Sequence, residues 1–221
     1  MASRALATVF TPNKGYMNHR SLVIASALFL TVGASTVFAQ DMDPHPSFGL
    51  LAGVDFASLH GSDANGLSSR TGFVGGISMN LHLARHVGVE FDGLYSQEGA
   101  KLSNNGGTAT LKLDYIRVPV LLRFGIPTQS SVHPFLVVGP SFGFKISCKE
   151  TAGSDSADCN SGSGTDVKSF DFAGAVGGGV GFRVGKEELS VQARYTMGFT
   201  DITRNANAQT KNFAVHAGFA F

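Results

Sequence analysis

The chain has no tryptophan and only two cysteines among its 221 residues, and charged residues make up 15% of it. Soluble domains usually carry roughly 25% charge. Low charge together with 43% hydrophobic residues excludes a disordered chain, which needs high net charge and few aromatics. Glu and Lys are too scarce, and Gly too abundant, for a coiled coil. A formal charge of +1 leaves no basic footprint for nucleic acid, so no nucleic-acid partner is expected. Two cysteines with no nearby histidine make no zinc set, and neither a metal nor a cofactor is expected. The surplus lies in glycine, 28 residues, and phenylalanine, 18 residues. Glycine at nearly twice its usual share of about 7% fits a β-protein with closely packed or tightly turned strands.

The first 39 residues read as a secretory signal peptide. Arg20 precedes the apolar run Leu22–Ala34, and Val37-Phe38-Ala39 places short residues where a signal peptidase cuts. The run is about 13 residues, short of the roughly 20 that a spanning helix needs. Met17 begins a complete signal by itself, which makes it an alternative start. Cleavage after Ala39 removes Arg4, Lys14 and Arg20 and no acid, leaving 14 basic against 16 acidic residues. Residues 40–47 then form a short periplasmic segment before a β-domain spanning 48–221. No later stretch is long and apolar enough for a membrane helix.

From Phe48 onward, apolar residues recur at every second position, the pattern of a strand with one apolar face. Eight such runs occur, opening at Phe48, Phe73, Val87, Ile116, Leu136, Phe170, Leu189 and Phe213. Their connections alternate. Short turns fall near Ala84-Arg85-His86, at 126–133 and at Gly185-Lys186-Glu187. Longer polar loops are expected at 58–70, 98–110, 147–167 and 201–211. Short turns on one side and long loops on the other describe an outer-membrane barrel. The fold expected is therefore all-β, an eight-stranded antiparallel up-and-down transmembrane barrel.

The two faces separate this barrel from a soluble one. The apolar face carries no charge. The intervening face carries Asp55, Glu90, Asp92, Asp171, Arg117, Arg123, Lys145, Arg183 and Arg194 amid many Gly and Ala residues. Water-facing strands favour Thr, Lys and Glu, whereas small residues leave room for long charged ones in a narrow lumen. Eight strands enclose space only for side chains or one small ligand, while diffusion pores use about 16–18. A plugged interior is expected, with Glu90 or Asp92 near Arg117, Arg123 or Arg194, because an unpaired buried charge is very costly.

Other chemistry is weakly represented. His216 and His82 face inward, and Ser190 or Thr196 could be offered as partners, but no local motif supports a nucleophile and base. No catalytic residue is assigned. The glycines at 174–181 do not match G-x-G-x-x-G, and Gly181-Phe-Arg-Val-Gly185-Lys186-Glu187 is one residue short of a phosphate loop. Cys148 and Cys159 lie in one connection of an exported chain, where a disulfide is favoured.

Two resemblances add to this. The chain ends Phe213-Ala-Val215-His-Ala-Gly-Phe219-Ala-Phe221, which resembles the terminal signal read by the outer-membrane barrel assembly machinery. Leu113-Asp-Tyr115-Ile-Arg117-Val-Pro119-Val-Leu-Leu-Arg123 resembles a motif strand of the PorT-like outer-membrane β-barrel family. Pro134–Ser141, Ala193–Ile202 and Phe48–Phe56 are similar to further segments of it, with Asp55 where many relatives carry Asn. The resemblance implies an eight-stranded barrel in a Gram-negative outer membrane, with outer-membrane lipid and the assembly machinery as partners. It does not imply one function. A structural, adhesive or surface-interaction role is expected, toward a partner the sequence does not identify. The alternatives are an accessory of transport or secretion and a lipid-modifying enzyme.

Overall fold

The computed structural model describes residues 46–62, 66–104, 107–152, 155–159, 167–203 and 207–221. The expected signal peptide and residues 40–45 lie outside the described residues. Pro46 and Ser47 already belong to the first strand, two residues ahead of the expected boundary.

Among the described residues nine strands form one sheet: β1 (Pro46–His60), β2 (Leu67–Ala84), β3 (Val87–Asn104), β4 (Gly107–Gly125), β5 (Val132–Ala152), β6 (Asp155–Asp158), β7 (Phe170–Val184), β8 (Glu187–Gly198) and β9 (Gln209–Ala220). Their order is β4-β3-β2-β1-β9-β8-β7-β5, and β4 also pairs with β5. Every one of these pairings is antiparallel. The sheet therefore closes as an eight-stranded barrel with no free edge, the arrangement that satisfies every strand's backbone within hydrocarbon. The four-residue β6 only folds back on the end of β5.

The alternation in the sequence becomes the two faces of the wall. Phe48, Leu50, Val54 and Phe56 of β1 are exposed, while Leu51, Asp55, Ala57 and Leu59 at alternate positions are buried. The same holds on β9, where Phe213, Val215 and Phe219 face outward and Ala214 and His216 inward. A monomer in water does not expose this many large apolar side chains over one continuous belt. In a bilayer that belt is the stable arrangement.

The short connections lie where expected, at 85–86, 126–131 and 185–186. The long loops are a correction. β3 and β4 continue to Asn104 and from Gly107, so the expected loop at 98–110 is almost entirely a strand hairpin. β5 likewise runs to Ala152. The strands thus project beyond the apolar belt, and along that projection the faces exchange polarity. On β4, Ile116 and Leu122 point outward, whereas Leu111, Leu113 and Tyr115 are fully buried inside and Lys112 is exposed. Outside the bilayer the wall meets water, so the apolar side turns inward as in a soluble barrel.

Candidate functional site

Among the described residues buried charge concentrates in the lumen, which is filled in layers. Nearest the periplasmic turns, Arg123 of β4 donates to Glu90 of β3 at 2.9 Å and to Glu188 of β8 at 3.0 Å. Its guanidinium lies 3.4 Å from the centroid of the Phe135 ring. Arg194 of β8 reaches across to β3, donating to Glu90 at 2.7 Å and Asp92 at 2.8 Å. It also donates to its own strand's Gln192 at 3.0 Å. These bonds tie β3 directly to β8, which are not neighbours in the sheet, and so cross the lumen.

Above this layer is a cavity of only about 30 Å³, lined in part by Asp55, Ser96, Asn212 and His216. Ser96 donates to Asp55 at 3.2 Å. The second layer centres on Arg117 of β4. It makes a two-pronged pair with Glu98 of β3 and donates to Asp171 of β7 at 2.8 Å. Thr210 of β9 also donates to Asp171, at 2.8 Å. Arg117 lies 5.0 Å from the Tyr115 ring centroid. A bidentate Arg–carboxylate pair is among the stronger charge-assisted contacts and is fixed in geometry.

Beyond the second layer the interior turns mainly apolar, although Glu150 of β5, across the ladder from Leu111, is buried there too. Leu59, Leu102, Leu111, Leu113, Tyr115, Val167 and Ile202 form one buried cluster. Val167 and Ile202 come from connecting segments folded over the barrel end, held by a Val167–Thr203 bridge and by Lys168 donating its amide to Ile202. Lys145 donates its ammonium to the Val167 carbonyl. The Cys148–Cys159 disulfide forms, with Cα atoms 5.4 Å apart, and closes the β5–β6 hairpin beside this cluster.

Two internal glycines are explained by these charges. A Cβ on Gly143 would lie 2.9 Å from Nη1 of Arg117 and 3.3 Å from Cβ of Asp171. One on Gly181 would lie 2.7 Å from Oε1 of Glu188.

The nine charged residues expected in the lumen divide. Glu90, Asp92, Arg123 and Arg194 meet in the first layer, and Arg117 and Asp171 in the second. Asp55 lies between the layers, and Lys145 caps Val167. Arg117 pairs with neither Glu90 nor Asp92. Arg183 faces the periplasmic mouth, is exposed, and makes no ion pair among the described residues. Glu98 and Glu188 were not anticipated. Glu98 continues the inward series Glu90, Asp92, Leu94 and Ser96, so extending that parity past the apolar belt finds it. His216 is buried, and neither ring nitrogen has a hydrogen-bond partner, Ser190 and Thr196 included. His82 is exposed at the periplasmic mouth. Among the described residues, no group of three or more His, Cys, Asp or Glu could hold a metal.

A family model described as "Outer membrane protein beta-barrel domain" matches residues 38–204. The chain belongs to this family. It is an integral outer-membrane β-barrel protein, and the family match is broader than the PorT-like group. Among solved structures, Neisserial surface protein A (NspA) superposes with a TM-score of 0.51 at 17% identity, covering 80% of this chain and 99% of that one. OprG from Pseudomonas aeruginosa follows with a TM-score of 0.43 at 13% identity, over 80% of this chain and 97% of that one. The attachment invasion locus protein Ail of Yersinia pestis has a TM-score of 0.42 at 14% identity, over 81% and 100%. At these identities the likeness is one of fold. No curated protein matches the chain.

Proposed function

We propose that this barrel is a closed scaffold whose work is done outside the cell, as a surface-interaction or adhesive protein. The carrying observation is the contrast between its two parts. The lumen is crossed by two ion-paired layers and capped by an apolar cluster, which leaves solute transport no route. The strands meanwhile continue past the apolar belt, where the disulfide closes the β5–β6 hairpin, and hold Lys101, Lys112 and Lys149 outward on β3, β4 and β5. A wall that projects rigidly into water, with its own apolar filling, suits presentation of a contact surface.

Catalysis has no part in this reading: His216 is buried in the lumen, and neither ring nitrogen has a hydrogen-bond partner among the described residues. Export through the signal peptide at 1–39 and assembly through Phe213, Val215, Phe219 and Phe221 complete the proposal. The last strand presents Phe213, Val215 and Phe219 outward, and Phe221 directly after it is exposed too. Placement in the PorT-like group rests on the strand Tyr115–Arg123, whose terminal cation is the Arg123 that bridges Glu90 and Glu188.

The test compares cells displaying the intact chain with cells whose 148–159 segment is replaced by a two-residue turn. Loss of attachment to neighbouring cells and matrix, with the barrel still heat-modifiable on gels, is expected. Undiminished attachment by the shortened barrel contradicts the reading.

A further inference from the structure

The opposite end of the barrel is built differently. At the periplasmic mouth, two adjoining cavities of about 280 and 160 Å³ share Asn80, His82, Arg123, Arg183 and Glu188. Arg123 forms the floor, fixed by Glu90, Glu188 and the Phe135 ring. The rim carries Arg183 and Arg85, with His82 and His133 beside them. Deeper in the lumen Arg117 and Arg194 are each matched by two carboxylates. Here the matching stops. Glu188 sits directly across the β7–β8 ladder from Arg183, yet its carboxylate is turned to Arg123. Among the described residues, the side chains of Arg183, Arg85, His82 and His133 have no hydrogen-bond or ion-pair partner. Arginine and imidazole side chains without partners among the described residues therefore line one concave space, together with Glu187 and Glu188.

We propose that this mouth is a binding site for a phosphate-bearing anion, with Arg183 as its principal ligand. The planar fork of arginine matches phosphate oxygens in a bidentate way. The position supports the same chemistry. Exposed Phe48, Phe124, Phe182, Phe219 and Phe221 ring this end of the barrel, as aromatic girdles mark the level of lipid headgroups. The phosphate could come from an inner-leaflet phospholipid headgroup or from a free periplasmic anion. The site lies at the end away from the proposed contact surface, so the two readings stand or fall separately.

The test uses the full mature chain purified in maltoside detergent, which contributes no phosphate. Inorganic phosphate is titrated and followed by ³¹P resonance broadening. Retention of phosphatidylglycerol is compared with that of diacylglycerol of the same chains by native mass spectrometry. Binding of both phosphate-bearing probes supports the site, binding of phosphatidylglycerol alone supports it with a lipid as the source, and binding of inorganic phosphate alone supports it with a soluble anion. Arg183→Gln is expected to weaken binding about tenfold, the loss of one charge-assisted contact, and Arg183→Lys to weaken it less. Arg183 is exposed, so the barrel folds in both variants, as heat-modifiable mobility will report. Failure of both phosphate-bearing probes overturns the proposal. So does equal retention of diacylglycerol without phosphate binding, or unchanged binding in Arg183→Gln.

Discussion

Replacing Arg117 with Met tests the second lumen layer at its centre. The arginine is 5% exposed, and its partners Glu98 and Asp171 are 1% and 0% exposed. Methionine keeps most of the volume and the contact with Tyr115. What it removes is, among the described residues, the only cation bonded to these two carboxylates. Breaking a buried pair by deleting one partner costs about 3–5 kcal/mol, because the remaining charge is left uncompensated. Here two carboxylates lose their counter-charge, so the upper part of that range is expected. Replacing the whole group behaves differently, since buried ion pairs exchanged for apolar residues of similar size are often near neutral. Arg117→Met combined with Glu98→Met and Asp171→Leu should therefore recover most of the loss. Urea unfolding of the barrel in lipid vesicles, followed by heat-modifiable gel mobility, measures both variants. A single variant within about 1 kcal/mol of the parent, the range of water-exposed pairs, would show that the lumen is hydrated and that the reasoning fails.

Gly143→Val forces a side chain against Arg117 and Asp171 and should destabilise the barrel by about 1–3 kcal/mol, the usual cost of overpacking, in the same unfolding assay. Removing the disulfide by Cys148→Ser with Cys159→Ser opens a loop whose closure contributes about 3 kcal/mol in the chain-entropy model. Because the bridge lies beyond the apolar belt, the barrel should keep its gel shift while the 148–159 segment becomes open to protease on intact cells. Deleting Phe221 should lower the amount of protein in the outer membrane without altering the stability of barrel refolded from urea, because the residue lies directly after β9, outside every lumen layer.

The membrane-facing half of this fold was legible because a bilayer enforces one rule on every strand. Phe48, Leu50, Val54 and Phe56 must face lipid, so the residues between them must face inward, and Asp55, Glu90, Asp92, Arg117, Asp171 and Arg194 follow by parity. The same rule hid the upper barrel. Past Ile116 the outer solvent changes from lipid to water, and Leu113 and Leu111 move to the inner face. A pattern followed along one apolar face ends at that boundary, and polar hairpins such as 98–110 then look like loops. Glu98 was lost with them. Pair identities were legible only in part, because alternation fixes which way Arg117 points but not its height in the lumen. That height comes from the strand register, in which Arg117 faces Gly143 across the β4–β5 ladder, next to Asp171 on β7. Arg183 shares the inward parity but sits at the last turn, where the lumen opens and pairing is no longer enforced.

Ion pairs and the apolar cap close this barrel to solutes and leave its outer surface to act. Planar-bilayer recording of the purified, refolded protein measures that closure. A silent bilayer is expected, with no stable conductance steps at any holding potential that the membrane survives. Reproducible, large unitary steps from the pure protein would contradict it.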